Sequence, residues 1–385
     1  MITDRHNRAG GYRKNLSGEA EYYSFVPSSL PPVPDIEKDN ELIQLLAEAH
    51  EVLGKLEGVS SMIPNVDLFM TMYVRKEALM SSQIEGTQAT LEDVLNPEVD
   101  VNANRDVKDV VNYVQAMEMA IELLRTLPIC GRLMRRIHEV LMMETRGGDK
   151  YPGEFRRTQN WIGGANSTLN TARYIPPNVE DMQESMSDLE KYINENNETD
   201  ELVKIALIHY QFETIHPFLD GNGRVGRLLI ILYLMEKKIL TMPALYISYY
   251  LKANRIEYYD RMSEVRNSGN YEQWVKFFLR AIIASSDSAI YTVKQLSELR
   301  GKHAELVRGF GRASKTAFRV LEYFENTPIG TIRRVAVVLG LSYNTVLSSV
   351  KRLVEAGILN CGGRIFRGKV YYYRKYLEIL RSGTE

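Results

Sequence analysis

The stretch from His216 to Arg227 reads HPFLDGNGRVGR and stands between two segments with helical periodicity, 200–215 and 224–237. Pro217 predicts that the first helix ends just before it, because the residue ahead of a proline disfavours the helical conformation. The second apolar run begins directly after the glycines, where a new helix is expected to start. The polar residues therefore occupy a tight loop that leads into a helix N-terminus.

A loop of this kind is suited to bind phosphate groups. Gly221 and Gly223 let backbone N–H groups approach an anion closely, and the first turn of the following helix points its free N–H groups the same way. Arg224 and Arg227 are three residues apart, which predicts that both guanidinium groups lie on one helix face. The loop therefore has the donors to hold several phosphates together.

Two other side chains of the loop suggest chemistry beyond binding. Asp220 is a natural ligand for a Mg²⁺ ion that bridges phosphates and keeps several waters. His216 is the group in the loop suited to accept a proton near neutral pH. A helix stop followed by a Gly-Asn-Gly turn also occurs as plain structure, and this is the alternative for the loop taken by itself.

The whole stretch resembles the motif of the Fic family, His-x-Phe-x-Asp/Glu-Gly-Asn-Gly-Arg-x-x-Arg, and matches every specified position. With its flanking helices the resemblance covers roughly residues 110–285. It implies a mainly α fold: a Fic-type helical bundle with a β-hairpin flap. It also implies an enzyme, a protein adenylyltransferase that moves AMP from ATP to a Tyr, Thr or Ser hydroxyl of a target protein and releases pyrophosphate.

The resemblance also assigns roles to the residues of the loop. His216 is expected to act as general base and Asp220 to bind Mg²⁺, while Asn222 and the glycine amides hold the α-phosphate and the two arginines grip the distal phosphates. Phe218 is expected to pack beneath the loop. The nucleotide-binding residues expected on this basis are Phe218, Leu219, Asp220, Gly221, Asn222, Gly223, Arg224 and Arg227.

Residues downstream of the loop are candidates for the adenine pocket. The segment 245–262 is rich in aromatic side chains that can stack on a base, and Asn254, Tyr258 and Tyr259 are the candidates. Helix packing is the equal alternative for the tyrosine pair. His138 and His209 lie on periodic helices and are interpreted as core residues.

A second match lies upstream of the loop. Residues 81–86, SSQIEG, fit the inhibitory pattern of the family, Ser/Thr-x-x-x-Glu-Gly/Asn. With Ser81 and Glu85 at these positions, we expect the Glu85 carboxylate to reach Arg227 and occupy donors that the γ-phosphate needs. An ordinary carboxylate at a helix end is the alternative. The order of the two motifs resembles the class whose inhibitory helix precedes the Fic core.

The segment 156–177 departs from the helical pattern. Trp161-Ile162 and Tyr174-Ile175 flank a polar loop with two glycines, which predicts two short strands of a hairpin. In the Fic family such a flap lies beside the active site, and an extended target segment can add to it as a strand. Thr158, Trp161 and Tyr174 mark the expected flap, with a plain surface hairpin as the alternative.

The C-terminal part of the chain differs in charge from the rest. Residues 301–385 hold 15 Lys and Arg against 6 Asp and Glu, a net charge of +9, whereas residues 1–300 carry −10. Three predicted helices with a Gly-Leu-Ser turn at 340–342, followed by two short strands, resemble a winged helix-turn-helix domain. Duplex DNA is the expected partner, with protein docking or dimerisation as the alternative. The expected DNA-binding residues are Tyr343, Asn344, Thr345, Lys351, Arg352, Arg364, Arg367 and Lys369.

Composition sets the remaining expectations. The chain has 385 residues, and its 44% hydrophobic and 25% charged residues are typical of globular protein. Two cysteines are too few for a disulfide framework or a Cys-based zinc site, and no apolar stretch is long enough to span a bilayer, so we expect a cytoplasmic protein. We predict an N-terminal arm with helices over 1–105, a Fic core over 106–304 and a winged-helix domain over 305–385.

The functional expectation has a rival of another class. The main hypothesis is an adenylyltransferase that uses ATP and Mg²⁺ and is autoinhibited by Glu85. The alternative is a nucleotide-responsive DNA-binding regulator whose Fic chemistry is weak or different, such as removal of AMP or transfer of another phosphate-linked group. A homodimer is left open, and the target protein is not indicated by the sequence.

Overall fold

The computed structural model describes residues 7–61, 66–96, 104–145, 150–164, 166–365 and 368–381. The described chain is mainly helical, as predicted. Two helices at its centre, α7 (Glu201–Ile215) and α8 (Asn222–Glu236), are apolar on nearly all sides and buried along most of their length. Helices with this pattern lie inside a bundle rather than on its surface. The loop between them comprises residues 216–221. The predicted site therefore begins at the buried end of α7 and ends in the buried first turns of α8.

The other helices of the body surround this central pair. Among the described residues, three precede the predicted catalytic core and six belong to it; the 38-residue α11 also leads into the C-terminal part. They are α1 (Asn40–Ser61), α2 (Val66–Ile84), α3 (Leu91–Leu95), α4 (Arg105–Leu123), α5 (Gly131–Leu141), α6 (Val179–Asn194), α9 (Ile247–Ala253), α10 (Arg255–Ser268) and α11 (Tyr271–Arg308).

Capping side chains explain where several of these helices begin. Asn178 accepts a hydrogen bond from the N–H of Asp181 at the start of α6, and Asp200 accepts one from Leu202 at the start of α7. Such caps satisfy N–H groups that the helix itself leaves unpaired. The caps fix where the chain enters α6 and α7, and α7 leads into the loop.

The N-terminal arm contains strands that the sequence pattern did not indicate. β1 (Gly10–Asn15) pairs with β2 (Tyr22–Pro27) in antiparallel register, and Phe25 is fully buried. The Phe25 N–H donates a hydrogen bond of 3.0 Å to the carbonyl of Ile175. Glycines and prolines obscure the alternation here, and pairing with a distant segment determines the structure.

The described residues of the C-terminal part form four α-helices and a small sheet. Its elements are α12 (Ser314–Asn326), β3 (Ile329–Thr331), α13 (Ile332–Leu339), α14 (Tyr343–Glu355), β4 (Asn360–Ile365), β5 (Gly368–Tyr372) and α15 (Arg374–Arg381). The strand order is β3-β5-β4, with antiparallel neighbours. Gly340 is left-handed, with φ of 61°, and ends α13 at the turn into α14.

This part is packed against the body rather than free of it. Nδ1 of His303 on α11 lies 2.7 Å from the hydroxyl of Tyr373, and Arg381 on α15 pairs with Glu92 on α3. No helix among the described residues is both long enough and apolar enough to cross a membrane.

Candidate active site

The loop between α7 and α8 turns sharply because of two left-handed residues. His216 ends α7 with φ of 52°, and Gly221 precedes α8 with φ of 77°. A Cβ atom at Gly221 would lie 2.9 Å from the sulfur of Met142, so this position requires glycine on both steric and conformational grounds. The turn directs the first turn of α8 toward a cavity beside His216.

The environment of His216 makes it a base at neutral pH. Its Nδ1 lies 3.3 Å from the carbonyl oxygen of Glu213. A carbonyl only accepts, so this contact places the proton on Nδ1 and leaves Nε2 as the acceptor. Burial lowers the pKa of His216 from its ordinary value of 6.5 to about 4. The ring is therefore neutral near pH 7.

Asn222 has a different task from the one expected of it. Its Oδ1 accepts a hydrogen bond of 2.8 Å from the Phe218 N–H, and its Nδ2 donates one of 2.8 Å to the Phe218 carbonyl. The side chain is 1% exposed. Both ends of the amide are engaged inside the loop, so Asn222 braces the loop and does not present its side chain to a phosphate. Phe218 packs beneath the loop, as expected, and stacks on His138.

The two arginines of the motif do not point the same way. Arg227 lines the cavity, whereas Arg224 points toward α4 and α5, where its Nη1 lies 3.8 Å from Oδ1 of Asp109 and its Nη2 lies 3.3 Å from the sulfur of Met142. The i,i+3 spacing sets the helix face, but the packing of each long side chain decides its direction. A shared grip of both guanidinium groups on distal phosphates is therefore absent from this conformation.

Asp220 stands at the mouth of the cavity. Its Oδ2 accepts a hydrogen bond of 2.8 Å from Nζ of Lys150, and its Oδ1 accepts one of 2.7 Å from the Gly221 N–H. Burial tends to raise the pKa of this carboxyl, but the hydrogen bond and charge of Lys150, together with Arg224, bring the pKa below its ordinary value. Asp220 is therefore ionised at neutral pH.

The donor set fits Mg²⁺ only when phosphates complete it. Within the ranges that the structure covers, no three His, Cys, Asp or Glu side chains group as a metal site. Mg²⁺ commonly takes one or two carboxylates and receives its other ligands from substrate phosphates and water. A single ionised Asp220 beside a phosphate-binding loop satisfies that requirement.

Glu85 and Ser81 meet Arg227, as the sequence predicted. Nη2 of Arg227 donates hydrogen bonds of 2.8 Å to Oε1 of Glu85 and 2.9 Å to the carbonyl of Ser81, and its Nε donates one of 2.8 Å to Oγ of Ser81. The Arg227 side chain is 1% exposed, against 37% for Glu85. Burial is the largest single influence and lowers the pKa of Arg227, but the negative charges of Glu85 and Glu213 together with Tyr258 and Tyr259 raise it above its ordinary value.

The cavity also includes two of the three adenine-pocket candidates. Tyr258 is buried and its hydroxyl lies 2.8 Å from Nε2 of His209, while Tyr259 is half-buried; both line the cavity. Asn254 does not. It begins α10, donates to the Tyr250 carbonyl and lines a separate surface hollow.

The cavity has a volume of about 580 Å³ and opens beside His216. Its wall combines the loop between α7 and α8, the turn that carries Glu85, the flap and α10. The lining residues are Glu85, Trp161, Ile162, Gly163, Gly164, Arg173, Tyr174, Glu213, His216, Asp220, Gly223, Arg227, Arg255, Tyr258, Tyr259, Met262, Ser263 and Arg266.

The flap is smaller than the two predicted strands. Ile162 and Tyr174 form a single antiparallel bridge, and the Trp161 ring nitrogen donates to the Ser167 carbonyl at 2.9 Å. The glycines and polar loop between the bridging residues shorten the pairing. Tyr174 is anchored by a hydrogen bond of 2.7 Å from its hydroxyl to the Thr214 carbonyl, whereas Trp161 is 42% exposed.

Several residues at the site carry no local sequence signal. Lys150 pairs with Asp220, Arg156 contacts the His216 carbonyl, and Glu213 is a cavity carboxyl whose pKa burial raises to about 8. His138 links Asp220 to Gly153, because its Nε2 lies 3.1 Å from the Asp220 carbonyl and its Nδ1 accepts from the Gly153 N–H. Only the spacing of Glu213 one turn before His216 could have drawn attention to it.

The predicted DNA-binding residues cluster on α14 and the strand pair. Five of them lie on exposed positions of α14: Tyr343, Asn344, Thr345, Lys351 and Arg352. Lys369 on β5 is exposed and pairs in register with Arg364 on β4, and Arg367 lies outside the described residues. Exposure of polar side chains at the start of a helix permits contact with a partner but does not identify it.

Comparison with known proteins places this site in a family. The Fic/DOC family N-terminal model matches residues 43–122, and the Fic/DOC family model matches residues 128–234. The chain is 33% identical over 171 residues to the protein adenylyltransferase Fic of Culex quinquefasciatus, which is 42% of this chain and 31% of the relative. It is 26% identical over 305 residues to the protein of the same name in Drosophila mojavensis, 74% of this chain and 57% of the relative.

A solved structure shows the same fold. A Fic family protein from Desulfovibrio desulfuricans G20 matches with a TM-score of 0.56 and 21% identity, over 88% of this chain and 97% of that one. The chain spans less than two thirds of the curated relatives it matches. The motif of the loop, the two family matches and the shared fold agree: residues 43–122 match the N-terminal domain and residues 128–234 match the Fic domain of the Fic/DOC family.

Proposed function

We propose that this protein transfers AMP from ATP to a Tyr, Thr or Ser hydroxyl of a target protein. The observation that carries the proposal is the position of His216, a neutral base in the wall of a cavity that also holds the N-terminus of α8 and Arg227. The name protein adenylyltransferase, carried by the relatives from both insects, supports the same reaction.

The proposed chemistry is an in-line displacement at the α-phosphate. Nε2 of His216 accepts the proton of the target hydroxyl, whose oxygen forms a bond to the α-phosphorus. The bond from that phosphorus to the oxygen bridging it to the β-phosphate breaks, and pyrophosphate leaves. Backbone N–H groups at Gly223 and elsewhere in the first turn of α8 stabilise the charge that develops on the phosphoryl oxygens.

Asp220 is the residue that would hold Mg²⁺ in this reaction. The ion would neutralise charge on the ATP phosphates. Lys150 now occupies Oδ2 of Asp220, so we expect this ammonium group to move aside or to contact a phosphate when nucleotide binds. Either arrangement keeps a positive charge beside the ionised carboxylate.

Glu85 restrains the enzyme in this proposal. Its carboxylate occupies Nη2 of Arg227, which is the group that the γ-phosphate would use. A hydrogen bond between charged groups contributes about 1.5 to 3 kcal/mol, or about ten- to a hundredfold in binding or positioning. Removal of Glu85 from Arg227 is therefore the step that would activate transfer.

The flap is the proposed docking site for the target. An extended target segment would add beside residues 158–174 through main-chain hydrogen bonds, which place a hydroxyl without demanding much of the surrounding sequence. The exposed Trp161 would contact that segment, since it stands at the cavity wall.

A second function is proposed for the C-terminal part, a winged-helix domain that binds duplex DNA. The net charge of +9 over residues 301–385 and the exposed polar start of α14 favour it. Lys351, Arg352 and Lys369 would contact phosphates, and Tyr343, Asn344 and Thr345 would face base edges. In the rival proposal DNA binding is the main activity and the Fic site only senses nucleotide.

Mass spectrometry after incubation with ATP and Mg²⁺ tests the transfer. The Glu85→Gly protein should gain the mass of one or more AMP groups, and ATP labelled at the α-phosphate but not at the γ-phosphate should label it. Label from the γ-phosphate would establish phosphoryl transfer instead. Absence of label in Glu85→Gly, both on itself and on proteins of a cell extract, would favour the regulator. Loss of AMP from a previously modified protein would indicate the reverse reaction.

A further inference from the structure

Arg156 is a buried arginine between the flap and the catalytic loop. It is 2% exposed, and it lies in none of the matched catalytic or inhibitory motifs. The hydrogen bonds that the structure places on its guanidinium group go to main-chain carbonyls of three segments. Burying a guanidinium group is costly unless its donors are satisfied, so this contact set constrains all three segments at once.

The three carbonyls define what Arg156 connects. Nε donates a hydrogen bond of 3.1 Å to the carbonyl of His216, and Nη1 donates one of 3.3 Å to Thr158, where the flap begins. Nη2 donates to Pro177, where the flap ends. The Arg156 N–H also donates to the Pro217 carbonyl at 2.9 Å. One residue therefore joins both ends of the flap to the loop that carries the base.

His216 needs such support because its backbone conformation is unfavourable. With φ of 52° it is a non-glycine residue in the left-handed region, which persists only when surrounding contacts hold it. Its carbonyl accepts a second hydrogen bond, of 3.2 Å, from Nδ2 of Asn160. The Asn160 amide also donates to Phe218, so it braces the same loop from the flap side.

We propose that Arg156 is a positioning residue that holds the backbone of His216 and fixes the catalytic base relative to the flap on which the target docks. This role rests on the proposed AMP transfer. The target hydroxyl would then keep a fixed position relative to the Nε2 of His216 that takes its proton, because the flap presents that hydroxyl. A change at Arg156 lets them move apart while the phosphate-binding residues stay in place.

The charge of Arg156 provides a readout that does not require turnover. Burial is the main cause of the lowered pKa of His216, and the positive charge of Arg156 lowers it further, whereas the Glu213 carbonyl and the charges of Glu85 and Asp220 raise it. Removal of the guanidinium charge should therefore raise the pKa of His216.

The kinetic test uses the full chain with Glu85→Gly as the parent. Arg156→Gln and Arg156→Lys are compared with Arg157→Gln, which removes the neighbouring exposed arginine paired with Glu154 at 2.8 Å. Arg156→Gln should lower kcat about 100-fold, the loss expected from a misplacement of about 1 Å, with KM for ATP within about threefold of the parent. Arg156→Lys should keep part of the kcat that Arg156→Gln loses. Arg157→Gln should show no loss of kcat.

A histidine NMR titration of the same proteins supplies the second arm. The pKa of His216 should rise above the parent value in Arg156→Gln and stay near the parent value in Arg156→Lys and Arg157→Gln. If Arg156→Gln does not fold, Arg156→Lys decides the question. Lysine keeps the charge and most of the volume, but its ammonium group cannot reach three carbonyls. A kcat of Arg156→Lys equal to that of the parent therefore overturns the proposal. Equal kcat in Arg156→Gln and Arg157→Gln, or an equal fall in ATP affinity and kcat, overturns it too.

This design separates the two proposals. If the Glu85→Gly parent transfers no AMP, the proposed function fails, and the titration still tests whether Arg156 fixes the environment of His216. If the parent transfers AMP and the Arg156 variants behave as the parent in both arms, only the positioning role fails.

Discussion

Glu85 and Arg227 are 142 positions apart in the chain, and Oε1 of Glu85 accepts a hydrogen bond of 2.8 Å from Nη2 of Arg227. The arginine is buried and the glutamate is partly exposed. Ser81, four residues before Glu85, receives two further hydrogen bonds from the same guanidinium group. The end of α2 thus occupies most donors of the arginine that the phosphates of ATP would need.

Glu85→Gly should raise the rate of AMP transfer about ten- to a hundredfold, because a charge-assisted hydrogen bond of about 1.5 to 3 kcal/mol no longer competes for Arg227. Incorporation of labelled AMP into the protein itself measures the change. Most of the gain should appear in turnover and less in ATP affinity. Glu48→Gln, on an exposed face of α1, is the control.

The gain should depend on Arg227. The double variant Glu85→Gly with Arg227→Ala should show no increase over Arg227→Ala alone, because the released partner is then absent. A double variant that keeps the full gain would place the effect of Glu85 elsewhere, and equal labelling of wild type and Glu85→Gly would remove the inhibitory role.

His216→Ala in the Glu85→Gly background should abolish AMP transfer and leave ATP binding within about threefold, because the phosphates contact other groups. With the pKa of His216 at about 4, the base is deprotonated throughout the neutral range. The transfer rate should therefore show no inflection near pH 6.5 and should fall only as the pH approaches 4. Calorimetry of ATP binding and a pH series of initial rates check both points.

Each buried histidine should contribute less to the stability of the fold as the pH falls, whereas the buried carboxyl of Glu213, with its raised pKa, acts in the opposite direction. Burial lowers the pKa of His138 to about 4 and that of His209 to about 3, below the value of 6.5 expected in the unfolded chain. Below pH 6.5 these histidines bind protons in the unfolded chain but not in the folded chain. Their contribution to stability therefore falls with the pH until the folded pKa is reached. Each group lowers the free energy of unfolding by up to about 1.4 kcal/mol per pH unit.

Urea denaturation at pH 7 and pH 5 measures this effect. His209 has its Nδ1 at 3.1 Å from the Gly226 carbonyl and its Nε2 at 2.8 Å from the Tyr258 hydroxyl. His209→Gln should be less stable than wild type at pH 7 but should lose less on acidification. His50, an exposed histidine paired with Asp200, is the control, and His50→Gln should leave the pH dependence unchanged. A His209→Gln protein that loses as much stability as wild type between pH 7 and pH 5 contradicts the prediction.

The C-terminal part should bind duplex DNA with an affinity that falls steeply as salt rises, since each phosphate contact releases counterions. In the full chain, Lys351→Gln with Arg352→Gln should weaken binding and flatten the plot of log affinity against log salt by about 0.9 per lost contact. Lys294→Gln, an exposed lysine on α11, should change neither. No binding to any duplex at low salt would assign these residues to protein docking.

The sequence by itself determined the helices and the chemical inventory of the site. Helical periodicity depends on local spacing, and it identified α7 and α8 because their apolar residues recur through every turn. The His216–Arg227 stretch is contiguous, so its proline, glycines and charged residues indicated a loop at a helix N-terminus directly. The Ser81–Gly86 match could be interpreted once the distant His216–Arg227 motif had been found in the same chain.

Only the tertiary structure decided how those groups are used. Asn222 binds Phe218 with both ends of its amide, Arg224 points to Asp109 while Arg227 faces the cavity, and β1 and β2 form in a segment without a clear strand pattern. Arg224 meets partners far away in the chain, whereas Asn222 and the β1–β2 pair bond to near neighbours, and in each case the packing decides which atoms satisfy the polar groups. Local spacing carries no information about those atoms, whereas burial makes their hydrogen bonds compulsory, and the fold alone brings them together.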